Sequence, residues 1–346
     1  MGGDDARGVE GLDLQALRSW LDREVPGLVS GPLDATLITG GKSNLTYAVT
    51  DGSRELVVRR PPLGHVLATA HDMAREHRVM SALAGTDVPV PTTYALCPDD
   101  AVVGAPFYVM ERVPGTAFAR ASQLAEIGPD RTRSAVERMT DTLVALHAVD
   151  PDAVGLGDFG RPDGYLERQV RRWRKQLDAS RSRDIAGIDE LADHLAAHVP
   201  ASADAAIVHG DFRLDNVLVD TDQPGDPITA VLDWEMSTLG DPLTDVAVLL
   251  AYQQLAQAPQ AGAVVTDAAR ADGYPSRDEV LQRYASGSGR DVSDIGFHLA
   301  LAFFKLAVIL EGIHLRHSQG QTLGAGFDGI GDLLVPLVQA GLDARD

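Results

Sequence analysis

Ile207-Val208-His209-Gly210-Asp211-Phe212-Arg213-Leu214-Asp215-Asn216-Val217-Leu218-Val219 is the stretch whose reading decides the fold. An apolar run ends in His-Gly-Asp, an Asn follows five residues after Asp211, and a second apolar run starts at once. Short apolar runs that bracket a polar loop read as buried strands. A loop this short holds the side chains of Asp211 and Asn216 on one site. Farther along, Val231-Leu232-Asp233-Trp234-Glu235 places a second acidic residue at the end of an apolar strand, Ile228 to Leu232.

Phosphoryl transfer from a nucleotide requires a backbone-rich loop over the phosphates, a cation that holds them, metal ligands, and a carboxylate beside the acceptor hydroxyl. Mg²⁺ prefers oxygen ligands and takes only one or two carboxylates from protein, a demand that Asn216 and Asp233 meet. Between two strands, Ala35–Thr39 and Leu45–Thr50, lies Gly40-Gly41-Lys42-Ser43-Asn44. Its backbone N–H groups can line a phosphate, with Ser43 and Asn44 as the contacts; Lys42 either touches phosphate or is solvated. Other chemistries lack their parts. There is no Cys/His spacing for zinc, no Gly-x-x-x-x-Gly-Lys-Ser/Thr loop, and no Gly-x-Ser-x-Gly elbow.

Outward from the loop, Gly240-Asp241-Pro242-Leu243-Thr244-Asp245 precedes an apolar helix at Leu243–Leu255, where an Asp caps the N-terminus. Further helices are expected at Arg277–Ala285, Ile295–His314 and Gly329–Leu342, with a loop or weak helix end at Ala256–Ala271. Upstream, Val136, Met139, Leu143 and Leu146 mark an amphipathic helix, followed by Tyr165–Leu177 and Asp189–His198. The run Arg168-Arg171-Arg172-Arg174-Lys175 is either a contact for an anionic substrate or a solvated helix face. The first third is sheet-rich after a leading helix at 12–25. Asp51-Gly52 is a hairpin turn signal, Glu55–Arg60 is a third strand, and Pro61-Pro62 ends it. Met73, Met80 and Leu83 share a helix face with Glu76. Strands follow at Thr93–Leu96 and Phe107–Val113, and Pro114-Gly115 reads as a hinge.

His-Gly-Asp-x-x-x-x-Asn at 209–216, with Leu-Asp-Trp-Glu at 232–235 and Gly-Asp-Pro-Leu-Thr-Asp at 240–245, resembles the aminoglycoside phosphotransferase family, a branch of the protein-kinase-like fold. The resemblance runs from about Thr36 to at least Tyr252. It implies an α+β, two-lobe protein-kinase-like fold: a small antiparallel-sheet N-terminal lobe over 1–112 and a larger, mainly helical C-terminal lobe over 113–346. The second lobe would carry the catalytic loop 207–219 and the metal segment 231–235. ATP and Mg²⁺ are the implied cofactors. By the same resemblance Asp211 is the catalytic base, Asn216 and Asp233 are metal ligands, His209 packs within the loop, and Asp245 braces the loop backbone. Arg59 stands where kinases carry the phosphate-holding Lys, with Glu76 as its partner, and strand alternation leaves open whether Arg59 or Arg60 points inward. Phe107–Val113 resembles the adenine-receiving strand, with Met110 guarding the pocket and backbone groups near Glu111 and Val113 bonding the base. The Arg-Pro-Pro ending at 60–62 is similar to that of kinase-like domains fused to some acyl-CoA dehydrogenases.

The chain has 346 residues, 45% of them hydrophobic, enough for an apolar core. With 30 Lys plus Arg against 50 Asp plus Glu, the net charge is -20. That argues against nucleic acid and anionic membranes as partners, which need clustered cations. The acidity reflects either a solvated surface or attraction of a cationic substrate. The single cysteine, Cys97, excludes an intrachain disulfide. Asp4 and Asp5 stand where a signal peptide would be basic, and Lys305 and Glu311 interrupt the most apolar stretch, so a cytoplasmic location is expected. The acceptor is expected to be a small hydroxylated metabolic compound. The alternatives are an antibiotic kinase of the aminoglycoside type and a non-catalytic nucleotide-binding regulatory module. A protein kinase is disfavoured by the lack of Asp-Phe-Gly and Ala-Pro-Glu.

Overall fold

Alternation along Glu55–Arg60 organises the first part of the molecule. The computed structural model describes residues 9–38, 44–63, 72–201, 205–258, 266–321, 327 and 329–345. Helix α1 (Leu14–Glu24) starts at Asp13, whose carboxylate accepts the N–H groups of Gln15 and Ala16. Strands β1 (Asp34–Leu37), β2 (Leu45–Thr50), β3 (Glu55–Arg60), β4 (Thr93–Cys97) and β5 (Phe107–Glu111) form one antiparallel sheet in the order β1-β2-β3-β5-β4. Leu56, Val58, Phe107 and Val109 join Leu17, Trp20 and Leu21 of α1 in a single core, with Trp20 and Phe107 edge to face at 4.8 Å. Successive strand residues face opposite sides, so Val57, Arg59, Tyr108 and Met110 belong to the other face. Helix α2 (Met73–Leu83) packs against β4 and β5. Its buried stripe is Met73, Glu76, Val79, Met80 and Leu83, an apolar face with one carboxylate in it.

The second part is helical around two short sheets. Its helices are α3 (Ala121–Ile127), α4 (Pro129–Ala148), α5 (Tyr165–Ser180), α6 (Ile188–Ala197), α7 (Leu243–Ala256), α8 (Arg277–Ser288), α9 (Gly296–Ser318) and α10 (Leu334–Asp343). The strands are β6 (Ala206–Val208), β7 (Val217–Val219), β8 (Ile228–Val231) and β9 (Thr238–Gly240), with β6 antiparallel to β9. α9 is the core helix, in contact with α5, α6, α7 and α10. It is long and apolar enough to cross a membrane by length and composition, and 72% of its most apolar window is buried inside the protein.

The chain divides into two units, Met1–Pro114 with Ala230–Glu235, and Gly115–Thr229 with Met236–Asp346. Order along the sequence suggested that 231–235 belongs with the helical part; the fold groups it with the sheet instead. The reason is local: Val231 donates its N–H to the Pro89 carbonyl at 2.8 Å, and Arg59 takes the Asp233 carboxylate. Other differences are small. A short helix at Ala121–Ile127 and a strand at Thr238–Gly240 were not foreseen. The final helix begins at Leu334, after a 3₁₀ turn at Ile330–Leu333. Pro336 stands in its first turn, where a missing N–H costs nothing.

Candidate active site

In the sheet unit, Arg59 and Glu76 form a buried ion pair, Nε to Oε2 at 2.9 Å. The Arg59 guanidinium also bonds the Asp233 carboxylate and lies 3.9 Å from Glu235 Oε2. Glu76 accepts the Tyr108 hydroxyl at 3.0 Å and the Asn44 amide at 3.1 Å, and Asn44 reaches Glu235 at 3.3 Å. Burial pushes the Glu76 carboxyl up to about 7, against the pull of Arg59 and the Tyr108 hydroxyl, with Asp233 and Glu235 pushing the same way as burial. Arg60 goes to the opposite face, where its guanidinium bonds the Gly11 and Val103 carbonyls. The open choice between the two arginines therefore falls to Arg59 as the partner of Glu76.

Asp233 itself has φ 63°, one of only two non-glycine residues with positive φ among those described. That conformation costs roughly 1–2 kcal/mol for an L-residue and is least unfavourable for Asp and Asn. It turns the chain directly after β8, and Trp234, fully buried, anchors the turn by donating Nε1–H to the Val231 carbonyl at 3.0 Å. Met110 shares the sheet face of Arg59 and Tyr108 through its pairing with Val57. The Glu111 carboxylate accepts the Thr92 hydroxyl at 2.7 Å, and β5 ends at Glu111, which puts Val113 beyond the paired strand. Ser43, with Lys42 and the two glycines before it, lies outside the described residues.

In the helical unit, β6 delivers His209 and β7 carries the chain away after a 3₁₀ turn at Leu214–Asn216. Asp211 is held from two sides. Arg213 grips it in a fork, Nε to Oδ1 at 3.0 Å and Nη2 to Oδ2 at 3.1 Å. Asn216 Nδ2 donates to the Asp211 carbonyl at 2.8 Å and to Oδ2 at 3.1 Å. Burial raises the Asp211 pKa, but Arg213 and Lys305 more than offset it and hold the carboxyl below the ordinary carboxylate range. Arg213 also pairs with Asp215 at 3.1 Å and lies 4.3 Å over the Tyr252 ring.

The loop backbone is fixed from α7. Asp245, fully buried, accepts the N–H groups of His209 at 2.6 Å and Gly210 at 2.7 Å. His147 Nε2 lies 3.3 Å from the same carboxylate, and His147 Nδ1 is 2.8 Å from the Tyr284 hydroxyl. Gly210 has φ 87°, and a Cβ there would stand 2.8 Å from the Met236 Cβ, so only glycine fits. His209 is fully buried and packs edge to face on Phe212 at 5.7 Å. From α9, Lys305 Nζ donates to the Gly210 carbonyl at 2.8 Å.

Sequence reading passed over three of these residues. Arg213 stood inside the quoted motif, and its signal was a cation two residues from a candidate base. Lys305 was visible as a charge within an apolar helix. Tyr108 gave no signal, because a Tyr in a buried strand reads as core. The helix α5 run expected as an anion contact or a solvated face is mixed. Trp173 is buried, whereas Arg174 pairs with Asp178, Asp189 and Asp193.

The family model for phosphotransferase enzymes matches residues 34–280. The chain belongs to the phosphotransferase enzyme family. Among curated relatives, this phosphotransferase is 35% identical over 345 residues to acyl-CoA dehydrogenase family member 11 of Gallus gallus, spanning 96% of the chain and 43% of that protein. The chain spans less than half the length of such relatives. Among solved structures, a Ralstonia eutropha JMP134 protein, provisionally described as an aminoglycoside phosphotransferase, is 36% identical with a TM-score of 0.82, covering 96% of this chain and 98% of that one. The GDP and kanamycin complex of APH(2″)-IIIa matches with a TM-score of 0.62 at 14% identity, over 95% of this chain and 99% of that one, a likeness of fold. The phosphotransferase therefore has the α+β, two-lobe protein-kinase-like fold. Membership and fold support a small-molecule kinase in general terms and specify no acceptor.

Proposed function

We propose that this phosphotransferase moves the γ-phosphate of ATP to a hydroxyl of a small metabolic compound. The observation that carries the reading is Asp211: an ionised carboxylate, partly exposed, held in one orientation by the Arg213 fork and the Asn216 amide on a loop that Asp245 fixes. A carboxylate so placed can orient an acceptor hydroxyl and take its proton. Asn216 spends its amide nitrogen on Asp211, which leaves its oxygen as the ligand atom, and Asp233 supplies a carboxylate. Amide and carboxylate oxygens are the donor types that Mg²⁺ takes. Among the described residues no three His, Cys, Asp or Glu are grouped to hold a metal alone, and magnesium ordinarily completes its shell with phosphate oxygens and water. When bound, the metal neutralises charge on the transferring phosphate.

In the sheet unit, Arg59, kept charged and in place by Glu76, would hold the nucleotide phosphates, with Ser43 and Asn44 contributing from their loop. Met110 and backbone groups at Glu111 and Val113 would receive the adenine. A metabolic acceptor is favoured over a polycationic aminoglycoside by the curated relatives, which are named acyl-CoA dehydrogenase family members.

ATP hydrolysis without acceptor, followed by transfer assays over hydroxylated metabolites, hydroxyacyl thioesters and aminoglycosides, tests the proposal. Wild type should hydrolyse ATP slowly in Mg²⁺, and Asp211→Ala and Asp233→Ala should each reduce this by about 100-fold or more. A wild-type chain that neither binds nor hydrolyses ATP would overturn it.

A further inference from the structure

Lys305 is a cation in the middle of the long apolar helix α9, and beyond its pull on the Asp211 charge the reading of Asp211 assigns it no part. Its neighbours on α9, Phe303, Phe304, Leu306 and Ala307, are buried core residues. Burying an ammonium costs several kcal/mol unless it is paired and hydrogen-bonded. Lys305 donates to the Gly210 carbonyl at 2.8 Å, and its Nζ lies 5.7 Å from the centre of the Trp173 ring of α5. The charges acting on it are Asp211 from the loop and Asp245 from α7, opposed by Arg172 of α5 and Arg213.

These contacts complete a clamp. Asp245 takes the two N–H groups that enter the turn, those of His209 and Gly210. Lys305 takes the carbonyl that leaves it, the one belonging to the peptide joining Gly210 to Asp211. A peptide plane fixed at its carbonyl sets the position of the next Cα and the direction of the N–Cα bond, the base from which the Asp211 side chain aims. Glycine at 210 needs the restraint, because its own backbone is the most permissive of all.

We propose that Lys305 is a positioning residue for the phosphoryl-transfer site, holding the Gly210–Asp211 peptide so that Asp211 keeps its aim. The inference rests on Asp211 being the acceptor-side base, and the two claims fail separately. A Lys305→Met side chain has nearly the same length, leaves no large void and adds no buried charge, so packing around α9 survives the change. An Arg at this position still offers a donor to Gly210.

The experiment pairs kinetics with amide exchange on the full chain. Lys305→Met should lower kcat for ATP hydrolysis by about 100-fold, the loss expected from a reacting group misplaced by roughly 1 Å, while KM for ATP stays within about threefold of wild type. Amide hydrogen exchange at 209–211 should rise in the same variant, and Lys305→Arg should restore most of both. Lys305→Gln, shorter and uncharged, takes the place of Lys305→Met if the latter does not fold. Wild-type kcat in Lys305→Met, or a loss of kcat with exchange at 209–211 unchanged, would overturn the proposal. Asp211→Ala is the control. If it hydrolyses ATP as wild type does, the role given to Asp211 falls, and the exchange data still decide whether Lys305 holds the loop.

Discussion

Arg59 is surrounded by three carboxylates, those of Glu76, Asp233 and Glu235. Its removal leaves buried negative charge without compensation, so Arg59→Met is expected to destabilise the protein by about 3–5 kcal/mol, measured by urea unfolding at pH 7. Glu76 has a pH signature of its own. Burial puts its folded pKa at about 7, above the ordinary value of 4.5, so the folded state binds the proton more readily than the unfolded chain. The stability tied to this group is complete below pH 4.5 and is lost as pH rises through about 7, at up to about 1.4 kcal/mol per pH unit. The difference in unfolding free energy between wild type and Glu76→Gln should therefore slope across that window and level off beyond it. A flat difference would show that Arg59 keeps Glu76 ionised throughout. At this scale the sequence was informative wherever a polar residue broke an apolar pattern, as at Glu76 on the buried stripe of α2. It was silent where burial hid a role, as at Tyr108.

Periodicity and capping placed most elements, because both are local. α8 shows the rule at work: Ser276 and Glu279 form a reciprocal capping box, with the Ser276 hydroxyl accepting from the Glu279 N–H at 3.3 Å and the Glu279 carboxylate accepting from the Ser276 N–H at 2.7 Å. Ser276→Ala should cost about 1 kcal/mol, readable as a lower melting temperature with ATP hydrolysis unchanged. The elements that sequence reading missed are those without a period of their own. Ala121–Ile127 is too short to display a face, and Thr238–Gly240 becomes a strand only because β6 lies beside it. The start of α10 was placed too early because Gly329 and Pro336 act through conformation, which an apolar count ignores.

Taken whole, the chain carries -20 of net charge, and several of its arginines are paired with the chain's own carboxylates, as at Arg131 with Asp226, Arg181 with Asp189 and Arg283 with Asp141. It should pass through a heparin column unretained at 0.1 M salt; retention would reveal a cationic face that the summed charge conceals. What no local reading supplies is membership. Ala230–Glu235 carries an acidic strand end that looks, in sequence, like a continuation of the loop before it, yet it completes the sheet unit from the far side of a helical segment of the chain. Synthesis runs in one direction, and so this unit cannot be finished when Pro114 leaves the ribosome. Until Glu235 has followed, the Arg59 guanidinium waits without two of its three counter-ions. An expression fragment that stops at the apparent lobe boundary would freeze the protein in that unfinished condition.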